Sequence, residues 1–515
     1  MKQPLGLAFI TAVFFLAHGA LLGPSDDEAY YWTLSHRWNW GFAYHPPMIT
    51  WLIGLSREFW SWLLPENHPF VLRFPAAACI FGIFYFSLSW INLQAIKKIN
   101  LLWAWMTLLS FVGLTSSIWM SVPDLPLFLG WSLSFYCLWR LLTESKRLPK
   151  HYLGLGFGIF VSLMSKFSAI LMLGSIVLSI LLKLWFGRFK KSSSKTGGGI
   201  FSRLKAHLVL NLSRDEKKHL VNLISVISVA AVLGVIPSLL WNLETHWGPL
   251  NYQLEGRHQG SEFSLKRGLG FWLAQSLLFG PVWIGLFFQF LTQAFKKLSF
   301  DQASYTMTWV LPPLILFGLQ PFFSPFKLHW IFIAFFPGLL LIALKLSRQL
   351  SVGFWIKAQW HFGISLSLFF IVSMHFPLQS KLIQFFSDQF DPKWDVTNDL
   401  YGWKQLSNRI PKDAKVVGSR YQTASQAAFA LNAPDRVTLL PLTQKEFQDW
   451  PDLKLISRRG DHWGEIKEKF YYVADHRYLA PPQYQKQDCQ QLDPLVTRRS
   501  GILAKEVFIW FCQPE

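Results

Sequence analysis

Long apolar runs separated by short polar loops fill the first three quarters of the chain. A helix crossing the hydrocarbon core needs about 20 predominantly apolar residues. That rule predicts about eleven spans, fewer residues sufficing where a helix is shielded by protein. They fall near residues 4–22, 69–95, 101–119, 123–142, 152–164, 167–186, 220–241, 269–293, 306–321, 329–346 and 359–378. The first run has the single Lys and apolar core of a signal peptide. It is long enough to span and more spans follow, so it is expected to stay as an anchor.

Near residue 380 the pattern changes. Asp, Gln, Lys and Arg become frequent and the long apolar runs stop. Short strand-like runs lie at 414–418, 436–440, 471–474 and 506–511, with a small-residue helix at 423–431 between the first two. That order predicts an α/β unit. The expected fold is therefore an all-α polytopic membrane core over 1–379 and a C-terminal external α/β domain over 380–515.

Composition agrees. Hydrophobic residues make up 51%, aromatic 17% and charged only 15%, where a soluble protein is about one quarter charged. The net charge of +19 would point to nucleic acid in a soluble chain. Here the basic residues lie in loops, and no nucleic-acid motif accompanies them, so no nucleic-acid partner is expected. Lys97 and Lys98, Lys146, Arg147 and Lys150, the segment 188–218, Lys296 and Lys297, and Lys345 and Arg348 each follow an even-numbered span. This predicts a cytoplasmic N-terminus and an external C-terminal domain. The stretch 192–199 (SSSKTGGG) reads as a linker; its glycines lack the strand–GK[ST]–helix setting of a phosphate loop.

Of four cysteines, Cys79 and Cys137 lie in apolar runs and are expected to be buried. Cys489 and Cys512 lie in the external domain, where a disulfide is chemically permitted and two free thiols are the alternative.

The candidate chemistry gathers on the non-cytoplasmic side. The stretch 25–47, SDDEAYYWTLSHRWNWGFAYHPP, carries Asp26, Asp27 and Glu28 directly after the first span. Adjacent carboxylates repel, which raises a pKa unless a cation is near; at a helix N-terminus they would instead complement the dipole. Asp124 stands between Pro123 and Pro126 at the start of an apolar run, as a functional carboxylate or a helix cap. Lys166 lies in an apolar run on the side where basic residues are scarce, as a phosphate contact or a snorkelling residue. Arg57, Arg73, Arg257, Arg267 and Lys327 fit either an anionic phosphate or lipid head groups. His45, His246, His258 and His329 fall in loops of the same face; no HxxxH spacing ties them, and a metal site built across loops stays open. Carboxylates and cations above an apolar interior point to a substrate with a hydroxyl, a phosphate and a long lipid tail.

These residues also carry a resemblance. DDEAYYW with the following YHPPM, VPDLPL, SKFSA, PSLLWNLETHWGPLNYQLEGRH, KLHW and LYGW resemble the motifs of bacterial polytopic glycosyltransferases of the GT-C superfamily. That group contains the protein O-mannosyltransferase-like and aminoarabinose-transferase-like enzymes. The resemblance implies a helical membrane core with external helices lying flat on the membrane, for which 37–40 and 51–64 are candidates. It implies inverting transfer of a sugar from a polyprenyl-phosphate donor to a lipid A, lipopolysaccharide or other cell-envelope acceptor, on the periplasmic face of the bacterial inner membrane. Protein O-glycosylation and lipid transport are the alternatives. By the same resemblance Asp27 is the catalytic base, with Glu28 its neighbour and Asp124 the second-loop acid. Tyr31, His45, Lys166, Arg257, His258, Lys327 and His329 would bind substrate. No nucleotide is implied. Many relatives carry an acidic residue before His-Pro-Pro where this chain has Tyr44, which leaves a divalent metal ion an open question.

Overall fold

The computed structural model describes residues 2–42, 44–94, 99–192, 213–254, 262–296, 299–387, 389–439, 468–479 and 487–514. Lys97, Lys98, Lys297, most of the predicted linker, Arg257 and His258 lie outside the described residues.

The helices in chain order are α1 (Lys2–Ala20), α2 (Asp26–Leu34), α3 (Met48–Trp60), α4 (Pro69–Leu93), α5 (Leu101–Leu109), α6 (Val112–Thr115), α7 (Asp124–Thr143), α8 (Pro149–Leu163) and α9 (Ile170–Ser192). They continue as α10 (Arg214–Glu244), α11 (Gly248–Leu254), α12 (Leu265–Phe279), α13 (Pro281–Lys296), α14 (Gln302–Leu319), α15 (Phe332–Ser347), α16 (Phe354–His375), α17 (Leu378–Phe386) and α18 (Tyr421–Leu431). Among the described residues, six are long and apolar enough to cross a membrane: α1, α4, α7, α9, α10 and α15, the last two turns of 3-10 helix before α9 and α15 included. Two bent pairs, α12 with α13 at 104° and α16 with α17 at 100°, raise the number to eight if each is one span. The protein is a multi-pass membrane protein, and apolar side chains such as Phe9 on α1 and Val229 and Leu233 on α10 face outward.

Among the described residues, the helices long and apolar enough by themselves are fewer than the about eleven runs predicted, for local reasons. The run 101–119 breaks at Ser110, whose hydroxyl donates to the Thr107 carbonyl and accepts from the Trp283 indole. The run 152–164 is a helix of 15 residues. Helix α14 has 18 residues but opens on Gln302, Ala303 and Ser304 and carries Pro312 and Pro313. The run 269–293 turns sharply at Gly280. Its φ is 109°, and a Cβ there would lie 2.1 Å from the Gln359 amide nitrogen; only glycine fits such a corner, and Pro281 then starts the next helix.

The C-terminal domain holds a five-stranded mixed sheet of order β2-β1-β3-β5-β4. Its strands are β1 (Lys415–Gly418), β2 (Val437–Leu439), β3 (Phe470–Asp475), β4 (Gln487–Arg499) and β5 (Ile502–Pro514). β1 pairs parallel with β2 and β3; β5 pairs antiparallel with β3 and β4. Four strands match the predicted runs. β4 was not predicted, because QDCQQLDPLVTRR is polar and contains Pro494. The proline sits where the β4–β5 register shifts between Leu492 and Leu495, a place that tolerates a missing amide on an edge strand. Cys489 and Cys512 face each other across this hairpin and form a disulfide. Cys79 and Cys137 are free and buried.

Although the chain changes character near residue 380, its packing does not divide there. Ala29, Tyr30 and Trp32 of α2 join Ala424, Ala427 and Phe429 of α18 in one apolar cluster. The Trp32 and Phe429 rings meet edge to face at 5.0 Å. The C-terminal domain is thus seated on the same face as α2. A disulfide on that face accords with an extracytoplasmic location.

Candidate functional site

Helix α2 starts with a capping box: Ser25 Oγ accepts the Glu28 amide at 3.3 Å, and the Ser25 amide donates to Glu28 Oε2 at 3.0 Å. Each residue of a helix is turned about 100° from the last, so the three adjacent carboxylates point three ways. Glu28 points inward. It is fully buried and accepts from Arg73 Nε at 3.0 Å, Arg73 Nη2 at 2.9 Å and the Ser121 amide at 3.0 Å. Arg73 in turn donates to the Gly19, Leu22 and Gly23 carbonyls and packs on Trp119. Glu28 and Arg73 therefore join the ends of α1, α4 and the approach to α7. Asp26 points to the C-terminal domain, 2.9 Å from Arg477.

Asp27 makes no hydrogen bond or ion pair among the described residues. Its side chain is exposed, although protein crowds the carboxyl group closely enough to desolvate it in part, as in a recess open to solvent. That enclosure pushes its pKa up. Lys327 opposes the rise; Asp26, Asp124 and Glu28 add to it. One turn further on, Tyr31 is buried, and its phenol is held well above the usual range by burial and then by Asp27, Tyr421, Asp124 and Tyr44. At Tyr44 this chain has an aromatic cluster instead of a carboxylate: Tyr44 lies 5.9 Å from both Tyr30 and Tyr421.

Beside this recess, three helix ends build a cavity of about 150 Å³ lined by His45, Asp124, Lys166, His329, Trp330 and others. Asp124 is the first residue of α7. Lys166 is in extended conformation between α8 and α9, and its ammonium lies 2.8 Å from Asp124 Oδ1 and over the Trp330 ring. His329 Nε2 is 3.9 Å from Asp124 Oδ2, and His45 is within electrostatic reach of the same carboxylate. Met48, next to the His-Pro-Pro, donates its amide to the Met164 carbonyl at 2.9 Å. This bond ties the first loop to the Lys166 loop. Lys327, just before the turn that carries His329, is exposed and faces Asp27 electrostatically.

The structure thus gathers Asp27, Tyr31, His45, Asp124, Lys166, Lys327 and His329 around one region. Glu28 and Arg73 pair away from it. Arg57 is spent on Glu66 at 2.6 Å, and Arg267 donates to the carbonyls of Glu262, Pro321 and Phe322. Among the described residues, no group of three or more His, Cys, Asp or Glu side chains is disposed to hold a metal ion; Asp124 pairs with Lys166. Sequence reasoning missed Trp330, Phe167 and Gln320 in the cavity, and Tyr421 and Arg477 from the C-terminal domain. Trp330 could be found in the KLHW motif. Nothing local flags Arg477, which meets Asp26 across 451 residues.

No protein-family profile matches the chain, and no curated protein matches it. The chemistry open to the site follows from its geometry. An exposed carboxylate with no hydrogen-bond partner among the described residues can accept a proton. Adjacent cations in an enclosed cavity stabilise an anion that develops there.

Proposed function

We propose that the protein is a membrane glycosyltransferase that moves a sugar from a polyprenyl-phosphate carrier to a cell-envelope acceptor on the external face. The observation that carries this reading is the isolation of Asp27. Its two neighbours are neutralised by arginines, while Asp27, among the described residues, is left unpaired within electrostatic reach of Asp124, which lines a cavity together with Lys166.

In the reaction the acceptor hydroxyl oxygen attacks the sugar C1 and the C1–O bond to phosphate breaks. The electron pair leaves with the phosphate, and the hydroxyl proton passes to Asp27. Lys166 and Lys327 offset the charge that builds on the leaving phosphate. Asp124 holds Lys166 in place, and His329 and His45 complete the polar wall. The carrier supplies the energy of the step, so no nucleotide is required. A transporter would gather its ionisable groups near the membrane midplane in paired, broken helices of two repeated halves; the sequence carries no visible repeat, and its candidate groups fall in loops read as external.

The test is the mass of the envelope acceptors, glycolipid and protein, in cells with and without the protein, followed by transfer from a polyprenyl-phosphate sugar by the purified enzyme. A glycosyl mass gain that depends on the protein is expected, and it identifies sugar and acceptor together. Full transfer by both Asp27→Asn and Asp124→Asn would remove the assignment. Counterflow of labelled lipid through proteoliposomes with no covalent product would favour a transporter.

A further inference from the structure

The C-terminal domain reaches helix α2 through a cluster of charge. The guanidinium of Arg477, just beyond β3, lies 2.9 Å from Asp26, 2.5 Å from Asp399 and 2.6 Å from Asp475. Lys505 of β5 stands 3.8 Å from Asp399 and 3.7 Å from Asp475. The Arg477 side chain is 10% exposed and that of Asp475 not at all.

Two features make this more than a surface contact. Arg477 is oriented from its own side: its amide and its Nε both donate to Asp475, each at 3.0 Å, so the guanidinium is aimed before it meets Asp26. Asp26 is also gripped a second time, by Gln426 of α18, which donates to Asp26 Oδ1 at 3.0 Å and to the Pro24 carbonyl at 3.1 Å.

Helix α2 has only nine residues, too few to hold its own conformation. Its rotation is set by what grips it. Glu28 and Arg73 fix one side; Asp26 and the C-terminal domain fix the other. Asp27 lies between them, one residue from each grip. We propose that Arg477 is a positioning residue of the transfer site: acting through Asp26, it sets the rotation of α2 and so aims Asp27 into the recess beside Asp124 and Lys166. This rests on the reading of Asp27 as the base.

Arg477 also neutralises the carboxylate nearest in sequence to Asp27. The charged and titratable groups facing Asp27 are Asp26 and Glu28 from its own helix, Asp124 from α7 and Lys327 from the turn before α15, with Tyr31 one turn away. Without Arg477, Asp26 is uncompensated, and Asp27 becomes harder to ionise.

The experiment uses the full chain in lipid nanodiscs with Arg477→Met, Arg477→Lys, Asp26→Asn and the double variant Asp26→Asn/Arg477→Met. Hydrogen exchange over 26–34, without substrate, reports how firmly α2 is held. Transfer is followed with polyprenyl-phosphate mannose and polyprenyl-phosphate aminoarabinose as donors. Arg477→Met is expected to speed exchange in α2 and to lower kcat by about 10- to 100-fold, the scale of a misplaced catalytic group, with donor KM nearly unchanged. The acid limb of its pH–rate profile moves to higher pH. Arg477→Lys recovers most of both effects. Adding Asp26→Asn to Arg477→Met returns the acid limb but not kcat. Should Arg477→Met fail to fold, Asp26→Asn alone carries the comparison, since it removes the ion pair between α2 and Arg477 and leaves Arg477 with Asp399 and Asp475. Wild-type exchange in α2, or wild-type kcat, in Arg477→Met, or in Asp26→Asn where Arg477→Met does not fold, overturns the proposal. If the wild-type protein transfers neither sugar, the donor assignment is what fails, and the exchange measurement still decides whether Arg477 holds α2.

Discussion

The guanidinium of Arg73 lies 2.9 Å from the carboxylate of Glu28, and neither side chain reaches solvent. Removing one partner of such a pair leaves a bare buried charge and costs about 3–5 kcal/mol. Glu28→Gln and Arg73→Met are each expected to lower the thermal unfolding midpoint in detergent strongly. The double variant should lose less than the two singles combined, because it leaves no bare charge. Loss of transfer in these variants then reports misfolding at the junction of α1, α2 and α4.

Asp27 should behave in the opposite way. Its folded pKa is raised, so the folded state favours the proton, and stability from this group falls as pH rises from the ordinary carboxylate range through the folded value. Asp27→Asn removes that cost at neutral pH. The expected outcome is an unfolding midpoint equal to or above wild type together with loss of sugar transfer. A lowered midpoint would mean that Asp27 has a structural partner after all.

Asp399 gives a pH prediction. Burial pushes its carboxyl up to about 6, against the pull of Arg477 and Lys505 and with the added push of Asp26 and Asp475. Asp399 shares Arg477 with Asp26 and Asp475. The sign is again that of a raised acid: its contribution is full below the ordinary range and is lost as pH climbs to about 6. A wholly enclosed group would give up about 3 kcal/mol. Asp399 is 35% exposed, and solvent screening brings this to about 1 kcal/mol. Asp399→Asn is expected to raise stability by that amount at pH 7 and to flatten the decline between about pH 4 and 6. Asp475 is held below its usual range, with Arg477 and Lys505 outweighing its burial; Asp475→Asn should destabilise at pH 7. Unfolding midpoints across pH check both.

The Cys489–Cys512 bond closes a segment with a sequence separation of 23. Chain entropy assigns a loop of that length about 3 kcal/mol. Cys489→Ser is expected to destabilise the sheet domain by up to that amount, read as earlier proteolysis of the domain in a temperature series. Mass spectrometry of the unreduced protein should show two alkylatable thiols, Cys79 and Cys137, and only after unfolding. Four would exclude the bond.

Much of the fold was legible because membrane insertion writes itself into run length. The helices α1, α4, α7, α9, α10 and α15 all lie under predicted apolar runs. What misled was continuity. Run length does not see that Ser110 can turn its hydroxyl on its own helix, or that Gly280 makes a corner against Gln359. β4 escaped because an edge strand needs no apolar alternation on its open side. The candidate site was legible as residue types: Asp27, Asp124, Lys166 and His329 stand out because charge in or beside an apolar run is costly.

The division of labour among Asp26, Asp27 and Glu28 was not legible. By itself the sequence determined that three carboxylates follow the first apolar run and that Asp124, Lys166 and His329 stand in or beside other apolar runs, since apolar length and charge are local properties. Only the tertiary structure decided which carboxylate, among the described residues, stays unpaired. That depends on Arg73 reaching Glu28 from α4 and on Arg477 reaching Asp26 from a domain 451 residues away. Ionisation is settled by whichever charges come within a few ångströms, and no local pattern records which ones do.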